Sequence, residues 1–272
     1  MRSLQSSLDK RAIMEILAHR GRVSPDKLGN TRSDFISCHL LGVDWVEADA
    51  CLTADGEVII YHPGSTRPDL SKMTWPEIER SILNVLDLNN FLTLLKAFRG
   101  IRCCLDIKQN SEELLRKLVE TIIRMGMEDI VYLTAFQQKI RIPFISIESN
   151  ANLLLRAKRI DSRIKTHLIA NWPINLPKLA EQRHPDMISF GWLQEPIPIR
   201  VVSRNLFKLL VITRYFHDDI KKVKDMGIKV LGGIVNDVDS MRYLADLGVE
   251  GIMTDDATLG MTFKKEFEAT NG

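Results

Sequence analysis

Two carboxylates spaced two residues apart are the first feature of this sequence that could do chemistry. Glu47 and Asp49 lie in the apolar run WVEADA. On a strand, side chains alternate with a period of two, so both carboxylates point to the same face. Two like charges this close need a cation between them or a proton on one of them, and carboxylate oxygens are ligands for Mg²⁺ and Ca²⁺. The pair indicates a cation site; a salt bridge from one acid to a helix is the equal alternative.

A second pair with the same spacing carries mixed charge. Asp106 and Lys108 end the run CCLDIK. A simple ion pair is one interpretation. A metal-ligating Asp beside a phosphate-binding Lys is the other, because phosphoryl chemistry requires neutralisation of the charge on the phosphate oxygens.

Two histidines also follow apolar runs. His19 comes after Ile16–Ala18 and precedes Arg20, and His62 comes after Val58–Tyr61. Either histidine alone is more often structural or solvated than catalytic. Two imidazoles, three carboxylates and a lysine after the first strands are, however, difficult to explain as packing.

Apolar, β-branched runs alternate with amphipathic stretches, which is typical of a parallel sheet built from βαβ units. Predicted strands are Ile13–His19, Asp44–Ala50, Ile101–Ile107, Ile130–Ala135, Ile164–Ala170, Met187–Gly191, Val230–Val235 and Gly251–Thr254. Predicted helices include Glu112–Met125, Ala151–Ile160, Asp218–Met226 and Val238–Leu247. Eight strands with helical connections predict a single α/β domain, residues 1–272, folded as a TIM-type (β/α)₈ barrel with a short hairpin insertion after strand 2. In such a barrel the active site lies at the carboxyl ends of the strands.

Two segments leave this count open. Gln137–Ser149 is either an extra strand or an irregular loop, and Val201–Phe216 is a helix, a strand or both. A doubly wound open sheet is therefore the alternative fold.

Composition narrows the class of protein. Lys plus Arg number 37 against 35 Asp plus Glu, for a formal net charge of +2, so the balance gives no sign of a nucleic-acid partner. The four cysteines lack zinc-site spacing and are predicted to be reduced and buried. We expect no signal peptide, no transmembrane segment and a cytoplasmic location, and the sequence leaves the oligomeric state open. His39, His167, His184 and His217 are expected to be structural, His39 on the first helix, His167 within a strand, and the other two in loops.

Five blocks in order along the chain resemble the glycerophosphodiester phosphodiesterase family. They are ILAHRG with the following GNT, GVDWVEADACLTADGEVIIYH, MTWPEIERS, CCLDIK and LADLGVEGIMTDD. The acidic pair followed by the hairpin TADGEVIIYH is the most specific part; it resembles the family's T-x-D-G-x-x-V-x-x-H, with Ile59 at the position of the valine.

The resemblance implies a role for each candidate residue. It places the catalytic histidines at His19 and His62 and a phosphate contact at Arg20. It implies metal ligands at Glu47, Asp49 and Asp106, and a lysine that contacts phosphate oxygens at Lys108. The related sphingomyelinase D toxins also carry Asp-x-Lys on the third strand, so Asp106 in place of the usual Glu is compatible with metal binding.

The sequence also departs from the family pattern. The family's ENT is GNT, with Gly29 in place of the acid, and its HD is His62-Pro63. The family's tryptophan motif survives only as Gly233–Asn236, and the insertion from Pro63 to Leu88 is short.

The predicted activity is hydrolysis of a glycerophosphodiester or lysophospholipid, a small-molecule substrate, to glycerol phosphate and an alcohol. Histidine acid–base catalysis and one divalent cation, Mg²⁺ or Ca²⁺, are implied. The alternatives are a phosphodiester lyase or synthase resembling sphingomyelinase D or lysophospholipase D, and a degenerate protein that only binds a phosphodiester.

Overall fold

Eight parallel strands close into a barrel. The structure is a computed structural model that describes residues 14–81, 84–137, 140–142, 145–147, 149–170, 175–193, 197–213 and 216–271. The barrel strands are β1 (Glu15–Ala18), β2 (Trp45–Leu52), β5 (Arg102–Ile107), β6 (Val131–Phe136), β9 (Lys165–Ala170), β10 (Met187–Phe190), β11 (Lys229–Gly233) and β12 (Gly251–Thr254). Each pairs in parallel with its neighbours, and β1 pairs with both β12 and β2. That last pairing closes the sheet, so the barrel prediction is confirmed and the open sheet is excluded.

Helices surround the barrel. They are α1 (Arg32–Leu41), α2 (Trp75–Ser81), α3 (Leu88–Ala97), α4 (Glu112–Met125), α5 (Asn152–Ile160), α6 (Leu176–Arg183), α7 (Ile197–Thr213), α8 (Phe216–Asp225), α9 (Val238–Asp246) and α10 (Ala257–Asn271). Short 3₁₀ turns span His19–Gly21 and Leu70–Lys72. The four predicted helices are present with ends shifted by at most two residues.

A hairpin extends strand β2 as predicted. Strand β3 (Val58–Ile60) pairs antiparallel with β2, and β4 (Leu86–Asp87) pairs antiparallel with β3. His62 follows β3 at the start of the loop that leads to α2. Strand β3 runs back along β2, and the Tyr61 N–H donates to the Asp49 carbonyl at 2.8 Å, so the hairpin brings His62 back to about the level of Asp49.

The two open segments are resolved differently. Within Gln137–Ser149, β7 (Ile140–Ile142) and β8 (Ile145–Ile147) form a separate antiparallel pair. Of the second segment, residues 201–213 belong to helix α7 and Phe216 begins α8, while residues 214 and 215 lie outside the described residues. His217 lies in α8, so its expected place in a loop was wrong.

The barrel interior contains an apolar layer and a polar layer, one after the other along the barrel axis. The half near the amino ends of the strands is filled by Leu17, Trp45, Cys104, Met187, Leu231 and Met253. Two residues further along β2 and β5, on the same faces, come Glu47 and Asp106, both buried. All four cysteines are buried free thiols, as predicted. The apolar layer therefore seals the floor of the barrel, and the polar layer opens toward the carboxyl ends of the strands.

Candidate active site

Three buried carboxylates converge inside the barrel. Glu47 and Asp49 lie on β2, and Asp106 lies on β5 directly beside Asp49 in the sheet register. One carboxylate oxygen of each residue lies within 4.8 Å of the others, and all three side chains are buried. The predicted i, i+2 pair thus faces the interior, and the alternative in which one acid faces a helix is excluded.

Two cations neutralise part of this charge. Lys108 Nζ lies 2.7 Å from Asp49 Oδ1 and also pairs with Asp106 Oδ2. Arg20 Nε lies 3.2 Å from Asp49 Oδ2, and the Arg20 backbone N–H donates to Glu47 Oε2 at 2.7 Å. The ion-pair interpretation of Asp106 and Lys108 is therefore correct for the structure as it stands, within a larger network.

The pKa values of the three carboxyl groups are shifted in different directions. Burial and the adjacent Asp49 raise the pKa of Glu47 well above its ordinary value. Burial also raises the pKa of Asp106, although the Lys108 ammonium opposes that shift. Burial acts in the same direction on Asp49, but Lys108 and Arg20 outweigh it and lower its pKa. The two positive side chains therefore favour the ionised form of Asp49 most strongly, and burial outweighs them at Glu47 and Asp106.

The residues present fit a divalent cation. They supply hard carboxylate oxygens, the donors that Mg²⁺ and Ca²⁺ prefer. Asp106 Oδ1 is buried and has no hydrogen-bond partner among the described residues. A buried carboxylate oxygen without a partner is costly unless a cation or water meets it. Glu47, Asp49 and Asp106 are the residues that would hold the ion.

His19 stands at the edge of the cluster, in the 3₁₀ turn after β1. Its Nδ1 lies 2.8 Å from Asp255 Oδ1, and its Nε2 lies 3.8 Å from Glu47 Oε2. The pKa of Asp255 is lowered, since its hydrogen bond to His19 and the charges around it outweigh burial. An ionised carboxylate can only accept, so Nδ1 carries the proton and Nε2 faces the acidic cluster.

His62 lies on the wall of an adjoining cavity of about 270 Å³. Arg20, Asn30 and Tyr61 line the same cavity, together with the loop that contains Arg67. His62 Nδ1 lies 3.1 Å from the Pro63 carbonyl oxygen, which places the proton of the neutral ring on Nδ1 and leaves Nε2 unprotonated. Burial lowers the pKa of His62 to about 4, with Asp49 opposing the shift. Arg20 contacts the acidic cluster and also borders this cavity.

Comparison with known proteins places this arrangement in a family. The model of the glycerophosphoryl diester phosphodiesterase family matches residues 19–259. The chain belongs to this family. As a family member it is an enzyme of the phosphoric diester hydrolase class, as the sequence predicted.

Similar proteins agree with this placement over nearly their whole length. A probable glycerophosphodiester phosphodiesterase from Mycobacterium tuberculosis is 25% identical over 255 residues, covering 89% of this chain and 88% of that protein. A human lysophospholipase D is 25% identical over 290 residues, covering 96% and 89%. A solved phosphodiesterase from Oleispira antarctica, in complex with the product sn-glycerol-3-phosphate, has a TM-score of 0.68 at 16% identity, covering 93% of this chain and 97% of that one. The solved structure supports the fold.

Sequence reasoning missed three polar residues of the candidate site, which are Asp255, Asn236 and Asn30. Asp255 orients His19, and Asn236 Nδ2 donates to Asp255 Oδ2 at 3.0 Å. Asp255 follows β12 directly, so the rule that found the other polar residues at strand ends could have found it. Asn30 was also missed as a partner. Its Nδ2 donates to Asp49 Oδ2 at 2.6 Å and its Oδ1 accepts from the Asp49 backbone N–H at 3.1 Å.

Two departures from the phosphodiesterase pattern have local structural explanations. Gly29 has a φ of +81°, and a Cβ added there would lie 2.7 Å from Arg20 Cβ. A side chain at this position is therefore incompatible with the present placement of Arg20. Pro63 stands where the family pattern has Asp, and its backbone carbonyl accepts a hydrogen bond from the His62 imidazole.

Proposed function

We propose that this chain hydrolyses a glycerophosphodiester to glycerol phosphate and an alcohol, by acid–base catalysis between His19 and His62. The observation that carries the proposal is the convergence of three buried carboxylates beside His19, next to a cavity that His62 lines. The product bound to the Oleispira relative supports the choice of the glycerol phosphate ester. The substrate is a small molecule, and the whole chain acts as one catalytic domain.

The cation is Mg²⁺ or Ca²⁺, held by Glu47, Asp49 and Asp106. When bound, a divalent ion supplies charge stabilisation for the phosphate oxygens in the transition state. Arg20 and Lys108 add two fixed positive charges at the same place. Their guanidinium and ammonium groups are donors that suit non-bridging phosphate oxygens.

Both imidazoles are set to exchange protons through Nε2. The Nδ1 proton of His19 is donated to Asp255, and that of His62 to the Pro63 carbonyl. One histidine, unprotonated at Nε2, accepts the proton of the attacking oxygen and becomes the imidazolium; the other enters the step as the imidazolium and donates its Nε2 proton to the departing alkoxide. Displacement in line at phosphorus requires the two groups on opposite sides of it. We expect the phosphate to bind between the acidic cluster beside His19 and the cavity beside His62, both of which Arg20 contacts.

Single substitutions test the histidine pair. We expect His19→Ala and His62→Ala each to lower kcat by about a hundredfold or more, the usual contribution of a positioned acid or base. His217→Ala is the matched control, because His217 is exposed on α8. Turnover of glycerophosphocholine, followed by ³¹P NMR, measures the rate and identifies the product. Near-normal rates in either variant would refute the pair, and accumulation of a cyclic phosphate would show a lyase in place of a hydrolase.

Removal of the cation tests the carboxylate cluster. We expect EDTA to abolish turnover and added Mg²⁺ or Ca²⁺ to restore it. Activity that is indifferent to EDTA would remove the cluster from the mechanism. Thermal stabilisation by glycerophosphodiesters in the presence of metal, without any turnover, would favour a protein that only binds its ligand.

A further inference from the structure

Helix α7 presents an apolar face to solvent. Its exposed apolar residues include Ile197 (58% exposed), Val202 (67%), Leu209 (57%) and Ile212 (77%). Pro198, Val201 and Leu206 are exposed as well, and among the exposed positions of residues 197–212 the one polar residue is Asn205. A helix on the outside of a soluble barrel ordinarily turns polar residues outward. A contiguous exposed apolar surface of this kind marks an interaction site.

The opposite face of α7 anchors it to the barrel. Phe207 is fully buried, with its ring centroid 5.9 Å from that of Phe190 and 5.2 Å from that of Trp192. Ser203 and Val211, four residues to either side, are also buried. Helix α7 therefore packs along the barrel through one face and turns its apolar face to solvent. The exposed apolar residues thus lie on a helix that is held in place.

The place of α7 in the chain puts it at the active-site end. It comes between β10 and α8, and α8 is the helix that packs on β11 and α6 as the barrel repeat requires. Helix α7 is thus an insertion into the loop after a barrel strand. Such loops lie at the carboxyl ends of the strands, where the catalytic residues are. The apolar face and the catalytic mouth share one end of the molecule.

The charge on α7 is entirely positive. Ile197–Thr213 contains Arg200, Arg204 and Lys208 and no acidic residue. Their spacing of four places all three on one flank, between the buried face and the apolar face. Lys208 Nζ lies 4.7 Å from the centroid of the Tyr243 ring, which holds it at this border.

We infer that α7 docks this enzyme on an anionic membrane surface. An apolar face bordered by Lys and Arg is the signature of a helix that lies in the plane of the lipid interface, and the cations add attraction to anionic headgroups. Seventeen residues span about 25 Å, short of a hydrocarbon core of about 30 Å. No helix within the described ranges is long and apolar enough to span a bilayer. The helix lies on the membrane and turns the barrel mouth toward lipid; this inference does not depend on the proposed catalytic activity.

Vesicle flotation of the full chain tests the docking. We expect the wild type to float with vesicles of equal parts phosphatidylcholine and phosphatidylserine, and to float less with phosphatidylcholine alone. The double variant Val202→Asp with Ile212→Asp is expected to bind the mixed vesicles about tenfold more weakly or worse, because each apolar side chain contributes to insertion. Leu40→Asp is the matched control, since Leu40 is 80% exposed on α1, outside the docking face. It should bind like the wild type.

The flanking cations have their own variant. Arg200→Gln with Lys208→Gln should weaken binding to the mixed vesicles and leave the residual binding to phosphatidylcholine unchanged. Equal flotation of the wild type with both kinds of vesicle, or equal loss in the α7 and Leu40 variants, would overturn the inference. So would a dimer in size-exclusion chromatography that the Asp variant converts to a monomer, with no vesicle binding, because a second copy of the chain would then be the occupant. Turnover of a water-soluble glycerophosphodiester should be the same in all these variants, and it reports separately on the proposed function.

Discussion

Asp255, which lies 236 positions away from His19 in the sequence, determines which ring nitrogen of His19 carries the proton. The carboxylate fixes the tautomer and stabilises the imidazolium that forms when Nε2 takes a proton. Arg22 Nη1 donates to the same Oδ1 at 3.1 Å, and Asn236 holds the other oxygen. Asp255 is thus a positioning residue that acts through His19.

Asp255→Asn tests this role. The amide can present its NH₂ to Nδ1 and so favour the wrong tautomer, and we expect kcat to fall by about a hundredfold with little change in KM. Steady-state kinetics measure both constants. The exposed first-turn acid of α9, Asp239, supplies the control Asp239→Asn. A change confined to KM would show that Asp255 acts in substrate binding instead.

The two hydrogen bonds of Asn30 orient Asp49 toward the cluster. Asn30 has a φ of +60°, so glycine is the replacement that removes the side chain without backbone strain. We expect Asn30→Gly to weaken Mg²⁺ or Ca²⁺ binding by about tenfold, the usual effect of losing a partner of a metal ligand. Titration calorimetry of the purified protein with the metal ion alone measures the change. Asn84→Gly is the matched control, because Asn84 also has a positive φ, of +74°. Unchanged metal affinity in Asn30→Gly would show that Asp49 is oriented without the Asn30 side chain.

At the scale of elements, the sequence predicted strands well because buried parallel strands are continuous apolar runs. It predicted α4 to the residue, since Ser111 caps its start and Gly126, in the left-handed conformation, ends it. Helix α7 stayed ambiguous for a physical reason. Its apolar residues occupy both the packed and the exposed faces, so the helical period that identifies an ordinary surface helix is missing.

Local spacing also separates the site residues that the sequence predicted from those that it missed. Glu47 and Asp49 are two residues apart on β2, and Asp106 and Lys108 are two apart at the end of β5, so local spacing alone places each pair on one face. Asp255 contacts His19, 236 positions away, where β12 pairs with β1 to close the barrel, and Asn30 reaches Asp49 from a loop 19 residues earlier. Their roles follow from strand order and loop conformation, which a single sequence does not encode locally.

Strand β9 carries a buried histidine whose environment predicts a pH effect on stability. His167 Nε2 lies 2.8 Å from Ser189 Oγ and Nδ1 lies 3.2 Å from Thr134 Oγ1. Burial lowers its pKa from the ordinary 6.5 to about 3. Between these values the unfolded chain binds a proton that the folded barrel does not. The contribution of neutral His167 to the free energy of unfolding is therefore fully present above pH 6.5 and is lost as pH falls toward 3.

The expected loss from this one group between pH 7 and pH 5 is about 2 kcal/mol. Urea unfolding at several pH values measures it. His167→Gln keeps hydrogen-bonding capacity but cannot titrate, so its unfolding free energy should fall less steeply with acid than that of the wild type. His217→Gln, at an exposed site, should follow the wild type. Parallel curves for wild type and His167→Gln would show that His167 is protonated in the folded barrel.

At the scale of the whole molecule, the barrel has two ends with separate tasks. The carboxyl ends of the strands carry the acidic cluster, the histidines and α7. The amino ends are closed by Glu15, which accepts from Trp45 Nε1 at 2.7 Å, Arg102 Nη2 at 2.6 Å and Lys229 Nζ at 2.6 Å. Arg102 and Lys229 also lie over the Trp45 ring. The apolar layer that contains Leu17 and Trp45 lies between this network and the polar layer.

This separation predicts that stability can be changed at the floor without changing catalysis. Glu15→Gln keeps the shape of the side chain but removes its charge, leaving two cations beside Trp45 without a counterion. We expect the free energy of unfolding to fall by about 1 kcal/mol, a value reduced because Arg102 and Lys229 are partly exposed. Differential scanning calorimetry should show Tm lower by a few degrees, while kcat on a water-soluble glycerophosphodiester stays within about twofold of the wild type. Glu266→Gln, exposed on α10, should change neither quantity. A large loss of kcat in Glu15→Gln at a temperature where the variant is fully folded would show that the floor positions the acidic cluster through the apolar layer, and that the two ends of the barrel are coupled.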